Sequence, residues 1–295
     1  MIAEIRGRQF EYCDQVLTSE QLTRSFNALT QETYGFNFAQ WHQNGHWGAR
    51  YQPHVLALNG RVVANVSLNR MEMMMRGKKV SLAQIGTVMT APEFRRQGLS
   101  AFLMRRVIEC ARQEERAVFL FANDSVLDFY PQFGFCPGTE TQRVIPLPEG
   151  GLEKGRRLDM RLGENRGRVL ELYRSGEQAS ELYELDNPGL MMFYLEGFLS
   201  ECVYELSGGA LAVAERQGET LWLHAVLSGE RIELREAARQ LADRQTRRVY
   251  LGFSPEQKEG FCPQPFKEED STLFWLDGQA PEGFEGLRIP QLSHA

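Results

Sequence analysis

The sequence has few cysteines and no long apolar stretch. Its five cysteines are scattered along 295 residues, and no two of them stand in C-x-x-C spacing. An odd and dispersed set of this kind excludes a disulfide framework or a zinc knuckle as the basis of the fold. No apolar run approaches the ~18 residues that a membrane-spanning helix needs, and the first ten residues, MIAEIRGRQF, contain no apolar signal region. We therefore expect a soluble protein of the reducing cytoplasm.

Positive charge is not in excess either. The 39 acidic and 33 basic residues leave a net charge of −6, so neither nucleic acid nor an anionic membrane is expected as a partner. A chain of 295 residues suits two units of about 100–150 residues each. Pro146, Pro148 and Gly150-Gly151 mark a break between periodic segments. We predict a first domain over 1–145, a linker over 146–156 and a second domain over 157–295.

The most informative stretch is a strand, a basic turn and a helix in direct succession. Residues 83–89 have strand character, RRQGLS follows at 95–100, and apolar residues recur at helical spacing over 99–116. The first amide groups of a helix have no partner within the chain, and the helix dipole adds partial positive charge at that end. Gly98 lacks a Cβ, so a ligand can approach the backbone closely there. The pattern predicts a binding site for a polyanion such as a diphosphate.

This stretch resembles the acyl-CoA signature of the GCN5-related N-acetyltransferases, which runs Gln or Arg, any two residues, Gly, any residue, then Gly or Ala. Arg95 fills the first position and Gly98 the fourth, whereas Ser100 departs from the pattern at the sixth. The second half of the family pattern follows as an apolar strand over 117–122, then Asn123, then a short helix with Phe129-Tyr130 and the terminal Phe133-Gly134-Phe135. The resemblance implies an α/β (α+β) fold, a mixed and mostly antiparallel twisted sheet flanked by helices.

The same resemblance implies acetyl-CoA as the acyl donor. The strand over 83–89 is expected to splay from the strand over 117–122, with the pantetheine arm in the gap. Backbone groups at 88–90 would then polarise the thioester carbonyl, although an ordinary buried strand explains those residues equally well. The residues expected to bind the cofactor are Val88, Met89, Thr90, Arg95, Arg96, Gln97, Gly98, Leu99, Ser100, Ala101 and Asn123.

Tyr130 is the expected general acid. In the resembled family this tyrosine lies near the thioester sulfur, where a phenol can protonate the leaving thiolate. The alternative is an aromatic anchor beside the neighbouring phenylalanines. No general base stands out, because residues 81–90 contain no Asp or Glu, and Glu32 and Glu72 can each be a solvated side chain.

Residues 34–54 crowd aromatic side chains together with glycines and a proline. In the resembled family the segment between the first helices often lines the acceptor site, where aromatic faces can hold an amine by cation–π contact. A packed irregular loop is the alternative. His42 and His46 are four residues apart, but the Asn44-Gly45 turn between them argues against a shared metal site. The residues expected to line the acceptor site are Tyr34, Phe36, Trp41 and Trp47.

The second half repeats the order of elements without the basic turn. Helices are predicted over 166–179, 190–199 and 230–245, a hairpin around Gln217-Gly218, and strands over 249–253 and 273–276. The helix over 230–245 begins with carboxylates, which satisfy the helix dipole and repel a pyrophosphate. We expect a degenerate acetyltransferase-like domain that closes the acceptor cleft or mediates homodimerisation. An unrelated α+β domain is the alternative.

Two classes of function follow. The first is an acetyl-CoA-dependent N-acetyltransferase that moves an acetyl group directly from the thioester to a primary amine of a small molecule or peptide. The second is a non-catalytic acyl-CoA-binding regulator, which would keep residues 95–100 and turn over nothing. Tyr130 favours the enzyme, and the missing base leaves the regulator open.

Overall fold

The structure, a computed structural model, describes all 295 residues as a mixed α/β protein with two sheets, as the predicted fold class requires. The strands are β1 (Ile2–Ile5), β2 (Arg8–Cys13), β3 (Tyr51–Leu58), β4 (Arg61–Met75), β5 (Lys78–Thr90), β6 (Ala117–Ala122), β7 (Phe135–Pro137), β8 (Glu140–Pro146), β9 (Arg156–Arg157), β10 (Glu177–Gln178), β11 (Leu182–Leu185), β12 (Val203–Glu205), β13 (Leu211–Gln217), β14 (Thr220–Ser228), β15 (Arg248–Leu251), β16 (Cys262–Phe266) and β17 (Thr272–Leu276). The helices are α1 (Glu20–Tyr34), α2 (Ala39–Gln43), α3 (Leu99–Gln113), α4 (Gly163–Ser175), α5 (Pro188–Glu196) and α6 (Leu234–Leu241). None of them combines the length and the apolar character that crossing a membrane requires.

The first sheet has nine strands, in the order β1-β2-β3-β4-β5-β6-β17-β7, with β11 added beside β4. Its long hairpins follow the turn chemistry of the sequence. Asn59 and Gly60, between β3 and β4, have φ values of 51° and 73°, the left-handed pair that a type I′ turn requires. Arg76 and Gly77 join β4 to β5 with φ values of 49° and 78°. These two turns keep β3, β4 and β5 antiparallel.

The pairing between β5 and β6 is parallel and short. It covers residues 82–85 of β5 and 117–120 of β6, although β5 continues to Thr90. Beyond residue 85 the register against β4 shifts, and Thr87 takes a φ of 49°, the mark of a bulge that bends the strand. Residues 86–90 therefore leave β6 and open a gap, as predicted.

Helices α1 and α3 pack on the central strands β4 and β5. The Ser19 side chain accepts a hydrogen bond from the Leu22 amide at 3.3 Å and caps α1, as expected of a serine directly before a helix. Phe26 on α1 and Leu103 on α3 are fully buried in the core of the first sheet. The α3 helix ends at Gln113, a few residues earlier than its apolar periodicity indicates.

The second sheet has eight strands, in the order β16-β8-β15-β14-β13-β12-β9, with β10 beside β14. Strands β13 and β14 form the predicted hairpin at Gln217-Gly218, and β14 and β15 run parallel. Leu223 and Leu251 of this sheet pack in one core with Leu234 of α6. The chain therefore contains a second mixed, mostly antiparallel sheet, as predicted.

The helices of the second half differ from their predicted bounds. The helix predicted over 230–245 is reduced to α6, because Asp243 turns the chain: its Oδ1 accepts the backbone N–H groups of Gln245 and Thr246 at 2.9 and 2.8 Å. A side chain that binds nearby backbone in this way competes with helix continuation. The helices predicted over 166–179 and 190–199 are α4 and α5, each shifted towards the N-terminus.

The two sheets exchange strands along the chain. The segment 273–276 was predicted to belong to the second sheet, and this is wrong: β17 lies between β6 and β7 of the first sheet. Phe274 and Trp275 are both buried although they point to opposite faces, so the strand needs a neighbour on each side and cover on both faces. Conversely, β8 belongs to the second sheet. The division into folding units at 146–156 stays a prediction.

Candidate functional site

A single cavity of about 1360 Å³ lies at the gap between β5 and β6. The residues predicted to bind the cofactor, from Val88 to Thr90, from Arg95 to Ala101 and at Asn123, all line it, and so does Tyr130. Tyr34, Phe36 and Trp41 line it as well. The cavity has a basic end, a middle section along β5 and an aromatic end.

The basic end is built by the turn into α3. Arg96 and Gly98 both have left-handed backbones, with φ values of 61° and 89°, so the chain folds tightly in front of the helix. Gly98 occupies the N-cap position, no side chain caps the helix, and its first turn contains no acidic residue. The first amide groups of α3 therefore keep their capacity to bind an anion.

Four arginines surround this end of the cavity. Arg95 donates from Nε to the Thr90 carbonyl at 3.2 Å, and Arg6 donates from Nη1 to the Arg96 carbonyl at 3.1 Å. Arg105, one and a half turns along α3, completes the group. No sequence motif marks either Arg6 or Arg105. Arg6 reaches this end only because the tertiary structure brings the β1–β2 turn against the start of α3, whereas Arg105 is on α3 itself.

Ser100, the departure from the family signature, is accommodated by β5. Its hydroxyl hydrogen-bonds the Thr90 hydroxyl, so the side chain faces the end of the strand. Serine can therefore occupy the position of the usual glycine or alanine, because Thr90 provides a hydrogen-bond partner for its hydroxyl.

The middle section follows the bulge of β5. The Asn65 side chain donates to the Thr87 carbonyl at 2.7 Å, and the Tyr51 hydroxyl lies 2.6 Å from Thr87 Oγ1. The Tyr34 hydroxyl donates to the Val88 carbonyl at 2.8 Å. These three contacts hold the bulged backbone in place beside the gap.

Tyr130 lies in this section and is 5% exposed. Its ring packs edge-on against Phe129 and Phe135. Burial alone raises the pKa of Tyr130 to about 12, and no hydrogen bond contributes to the shift. The phenol is therefore protonated throughout the physiological range and can donate a hydrogen bond.

Asn123 follows β6 and borders the cavity. Its Nδ2 donates to Asp270 Oδ2 at 2.9 Å, and the Asp124 amide donates to Asp270 Oδ1 at 2.6 Å. The amide nitrogen of Asn123 thus ties a loop of the second half to the end of β6. This contact was not visible in the sequence.

The aromatic end is formed by both halves of the chain. Phe193 of α5 lies against Phe36, with ring centroids 5.8 Å apart. The Trp41 indole donates from Nε1 to the Gly189 carbonyl at 2.7 Å, which fixes α5 to α2. The second half therefore supplies one wall of the cavity, through residues that no motif had marked.

Several residues singled out in the sequence lie elsewhere. Trp47, expected on the acceptor wall, is a core residue 7% exposed; it stacks on Trp41 and donates to the Tyr51 carbonyl at 3.0 Å. Glu32 is exposed on α1. Glu72 forms an ion pair with Arg116 at 2.8 Å, and neither carboxylate lines the cavity.

The histidines also separate. His54 is buried and its Nδ1 lies 2.7 Å from the Tyr12 hydroxyl, whereas His46 approaches Glu196 at 3.5 Å. No group of three or more His, Cys, Asp or Glu side chains is arranged to hold a metal ion.

The floor of the cavity includes residues far along the chain. Ala295 exchanges two hydrogen bonds with the Gln84 side chain, at 2.8 and 3.0 Å, and His294 stacks on Phe121 with ring centroids 4.1 Å apart. Gly86 is required there, because a Cβ would lie 2.3 Å from the Ala295 carbonyl oxygen. This segment closes one face of the sheet below the gap.

Comparison with known proteins agrees with this geometry. Residues 17–138 match a family model described as an acetyltransferase (GNAT) domain, and no curated protein sequence matches the chain. A protein of unknown function from Enterococcus faecalis V583, a probable N-acyltransferase, has a similar fold: TM-score 0.57 at 12% identity, over 92% of this chain and 73% of that one.

Two further structures show the same likeness. A GCN5-related N-acetyltransferase from Kribbella flavida has a TM-score of 0.53 at 19% identity, over 91% of this chain and 71% of that one. A GCN5-related N-acetyltransferase from Anabaena variabilis ATCC 29413 has a TM-score of 0.54 at 13% identity, over 90% and 72%. At these identities the likeness concerns the fold, and it extends over both sheets. Residues 17–138, the segment that contains the basic turn and Tyr130, are thus similar in sequence to an acetyltransferase (GNAT) domain.

Proposed function

We propose that the protein is an acetyl-CoA-dependent N-acetyltransferase that transfers the acetyl group directly to a primary amine of a small molecule or peptide. One observation carries the proposal: a single cavity joins an uncapped, arginine-lined helix start to a buried, protonated tyrosine and an aromatic chamber. The basic end suits the diphosphate, the middle section with Tyr130 suits the leaving thiolate, and the aromatic end suits the acceptor.

The donor fits the basic end and the gap. Arg95, Arg96 and the amide groups at the start of α3 would hold the diphosphate of the coenzyme. Residues 86–90 of β5, which have no partner strand on the β6 side, would bind the pantetheine arm through their backbone. Both features are complementary to the chemistry of a coenzyme thioester.

The transfer needs one proton at sulfur and releases one at nitrogen. As the amine nitrogen bonds to the carbonyl carbon and the carbon–sulfur bond breaks, the Tyr130 hydroxyl donates its proton to the leaving thiolate. The proton that the nitrogen loses then returns to the Tyr130 oxygen, directly or through water. This route does not require a carboxylate, which agrees with the absence of Asp and Glu from the middle and aromatic sections.

The second half has a role in this proposal. Phe193 and the Trp41–Gly189 hydrogen bond place α5 against the aromatic end, so residues 157–295 would act as the wall that closes the acceptor site. Homodimerisation stays a prediction, and light scattering of the purified protein tests it.

Calorimetry with coenzyme A tests the donor site. Reversal of Arg95 and Arg96 to Glu is expected to weaken binding at least about tenfold, since two exposed ion contacts are worth up to about 1 kcal/mol each. Arg247→Glu with Arg248→Glu is the matched control: these arginines are also adjacent and exposed, and they lie outside the cavity. Equal affinity in both double variants would contradict the proposed donor site.

Because no Asp or Glu side chain lines the aromatic end, a second candidate function stays open: an acyl-CoA-binding regulator without turnover. Release of free coenzyme A from acetyl-CoA in the presence of primary amines separates the two. Turnover supports the enzyme, whereas tight coenzyme binding without turnover of any amine supports the regulator.

A further inference from the structure

The aromatic end of the cavity has an unusual composition. Glu4 is the only acidic residue among those that line the whole cavity, and it lies two residues from Arg6, at the basic end. The aromatic end contains no Asp, Glu, Lys or Arg. Its aromatic side chains are Tyr34, Phe36, Phe38, Trp41, Phe193 and Phe198.

These rings form a cluster with one open side. Phe36 is at its centre, with ring centroids 6.0 Å from Tyr34, 5.8 Å from Phe193 and 5.5 Å from Phe198. Phe38 and Trp41 close the inner side and are buried. Phe198 and Tyr34, at the rim, are 60% and 40% exposed. Large aromatic surface is thus left in water at the mouth of a cavity, where a flat apolar group would cover it.

The charge distribution excludes a polycationic acceptor. A second ammonium group in the aromatic end would meet no Asp or Glu side chain that could pair with it, so its desolvation would be uncompensated. Glu196 lies behind the wall in a smaller cavity, but its charge is already compensated. It accepts from Asn44 at 2.8 Å and pairs with Arg166 at 3.3 Å.

We propose that the acceptor is an aromatic primary monoamine, an arylalkylamine whose ring packs among Phe36, Phe193 and Phe198. This inference rests on the proposed acetyltransferase function and specifies its substrate class. The absence of charge favours an amine that enters as the neutral nucleophile, and the rings select its apolar part. The open rim at Phe198 favours a group that arrives from solvent over an acyl chain delivered from the gap at β5.

The test is steady-state transfer from acetyl-CoA to 2-phenylethylamine, ethanolamine and spermidine. The expected kcat/KM for 2-phenylethylamine is more than tenfold above that for the other two amines. In Phe198→Ala, a change at an exposed site that folding tolerates, KM for 2-phenylethylamine is expected to rise about five- to tenfold, with KM for acetyl-CoA unchanged. Trp222→Ala is the matched control, because Trp222 stacks on Tyr250 in the second sheet, outside the cavity; its KM values are expected to stay at the wild-type level.

The outcomes distinguish a failure of the aromatic acceptor class from a failure of the acetyltransferase function itself. Turnover with equal kcat/KM for spermidine and 2-phenylethylamine overturns the aromatic acceptor and leaves the acetyltransferase. A Phe198→Ala variant that changes the preference between acetyl-CoA and octanoyl-CoA, and not KM for the amine, assigns the aromatic end to the acyl chain and also overturns the inference. No turnover with any amine, although coenzyme A binds, removes the proposed function itself.

Discussion

Replacement of Tyr130 by phenylalanine is expected to lower activity while leaving the stability of the protein nearly unchanged. The ring is buried against Phe129 and Phe135, and phenylalanine keeps those contacts. The hydroxyl forms no hydrogen bond that shifts its pKa, which burial alone raises to about 12. Because the hydroxyl borders the cavity and forms no hydrogen bond within the protein, its removal should change the free energy of unfolding by less than about 1 kcal/mol.

The effect on catalysis should be much larger. A positioned general acid contributes at least about 100-fold to the rate, so kcat of Tyr130→Phe is expected to fall by that factor, or about 2.7 kcal/mol in activation free energy. KM for acetyl-CoA should remain unchanged, since the proton is needed only when the carbon–sulfur bond breaks. Release of free thiol from acetyl-CoA in the presence of an amine gives kcat, and urea unfolding gives the stability.

Tyr173→Phe is the control for this prediction. The Tyr173 hydroxyl donates to the Glu184 carbonyl at 3.0 Å and lies outside the cavity that Tyr130 lines, so its loss should lower stability by about 1 kcal/mol and leave kcat intact. A Tyr130→Phe variant that retains more than a third of the wild-type kcat would refute the general-acid role. A loss of stability above about 2 kcal/mol would refute the view that the hydroxyl has no structural partner.

Three further predictions concern the fold around the site. Gly98→Ala should lower coenzyme A affinity in calorimetry and cost roughly 1 kcal/mol of stability, because Gly98 has a φ of 89° while a Cβ meets nothing closer than 3.8 Å; unchanged affinity would count against close approach at this backbone. Burial lowers the pKa of His54 to about 4, from 6.5. The unfolded chain therefore binds the extra proton between these values, so the contribution of His54 to stability should fall by about 2 kcal/mol from pH 7 to pH 5, and His54→Gln should remove that contribution from the pH dependence of stability in urea titrations. Trp41→Phe should destabilise the protein by about 1 kcal/mol and speed hydrogen exchange in α5, because it deletes the hydrogen bond to Gly189; protected α5 amides in the variant would show that this bond does not hold the wall.

Local elements were predictable where the interactions that stabilise them lie within one short segment of the chain. The Ser19 cap, the Asn59-Gly60 turn and the apolar periodicity of α3 each depend on neighbours within a few residues, and all three are present in the structure. The bounds of α6 were predicted less well, since Asp243 ends the helix through a local turn that periodicity does not register.

Contacts between distant segments were not predictable in this way. Trp41 and Trp47 are in the same aromatic- and glycine-rich segment of the sequence. In the structure, however, Trp41 lines the cavity and Trp47 lies behind it in the core. Nothing in the pattern of β17 distinguishes the sheet it joins, because a strand that is apolar on both faces fits any buried position between two others.

The sequence by itself determined the basic turn, the uncapped start of α3 and the position of Tyr130 within its motif, because these features arise from residues that are neighbours along the chain. Only the tertiary structure decided that Arg6 joins the basic end and that α5 completes the aromatic end. Those contacts depend on how two sheets pack and exchange strands, and packing of distant segments is a collective property that no local pattern encodes.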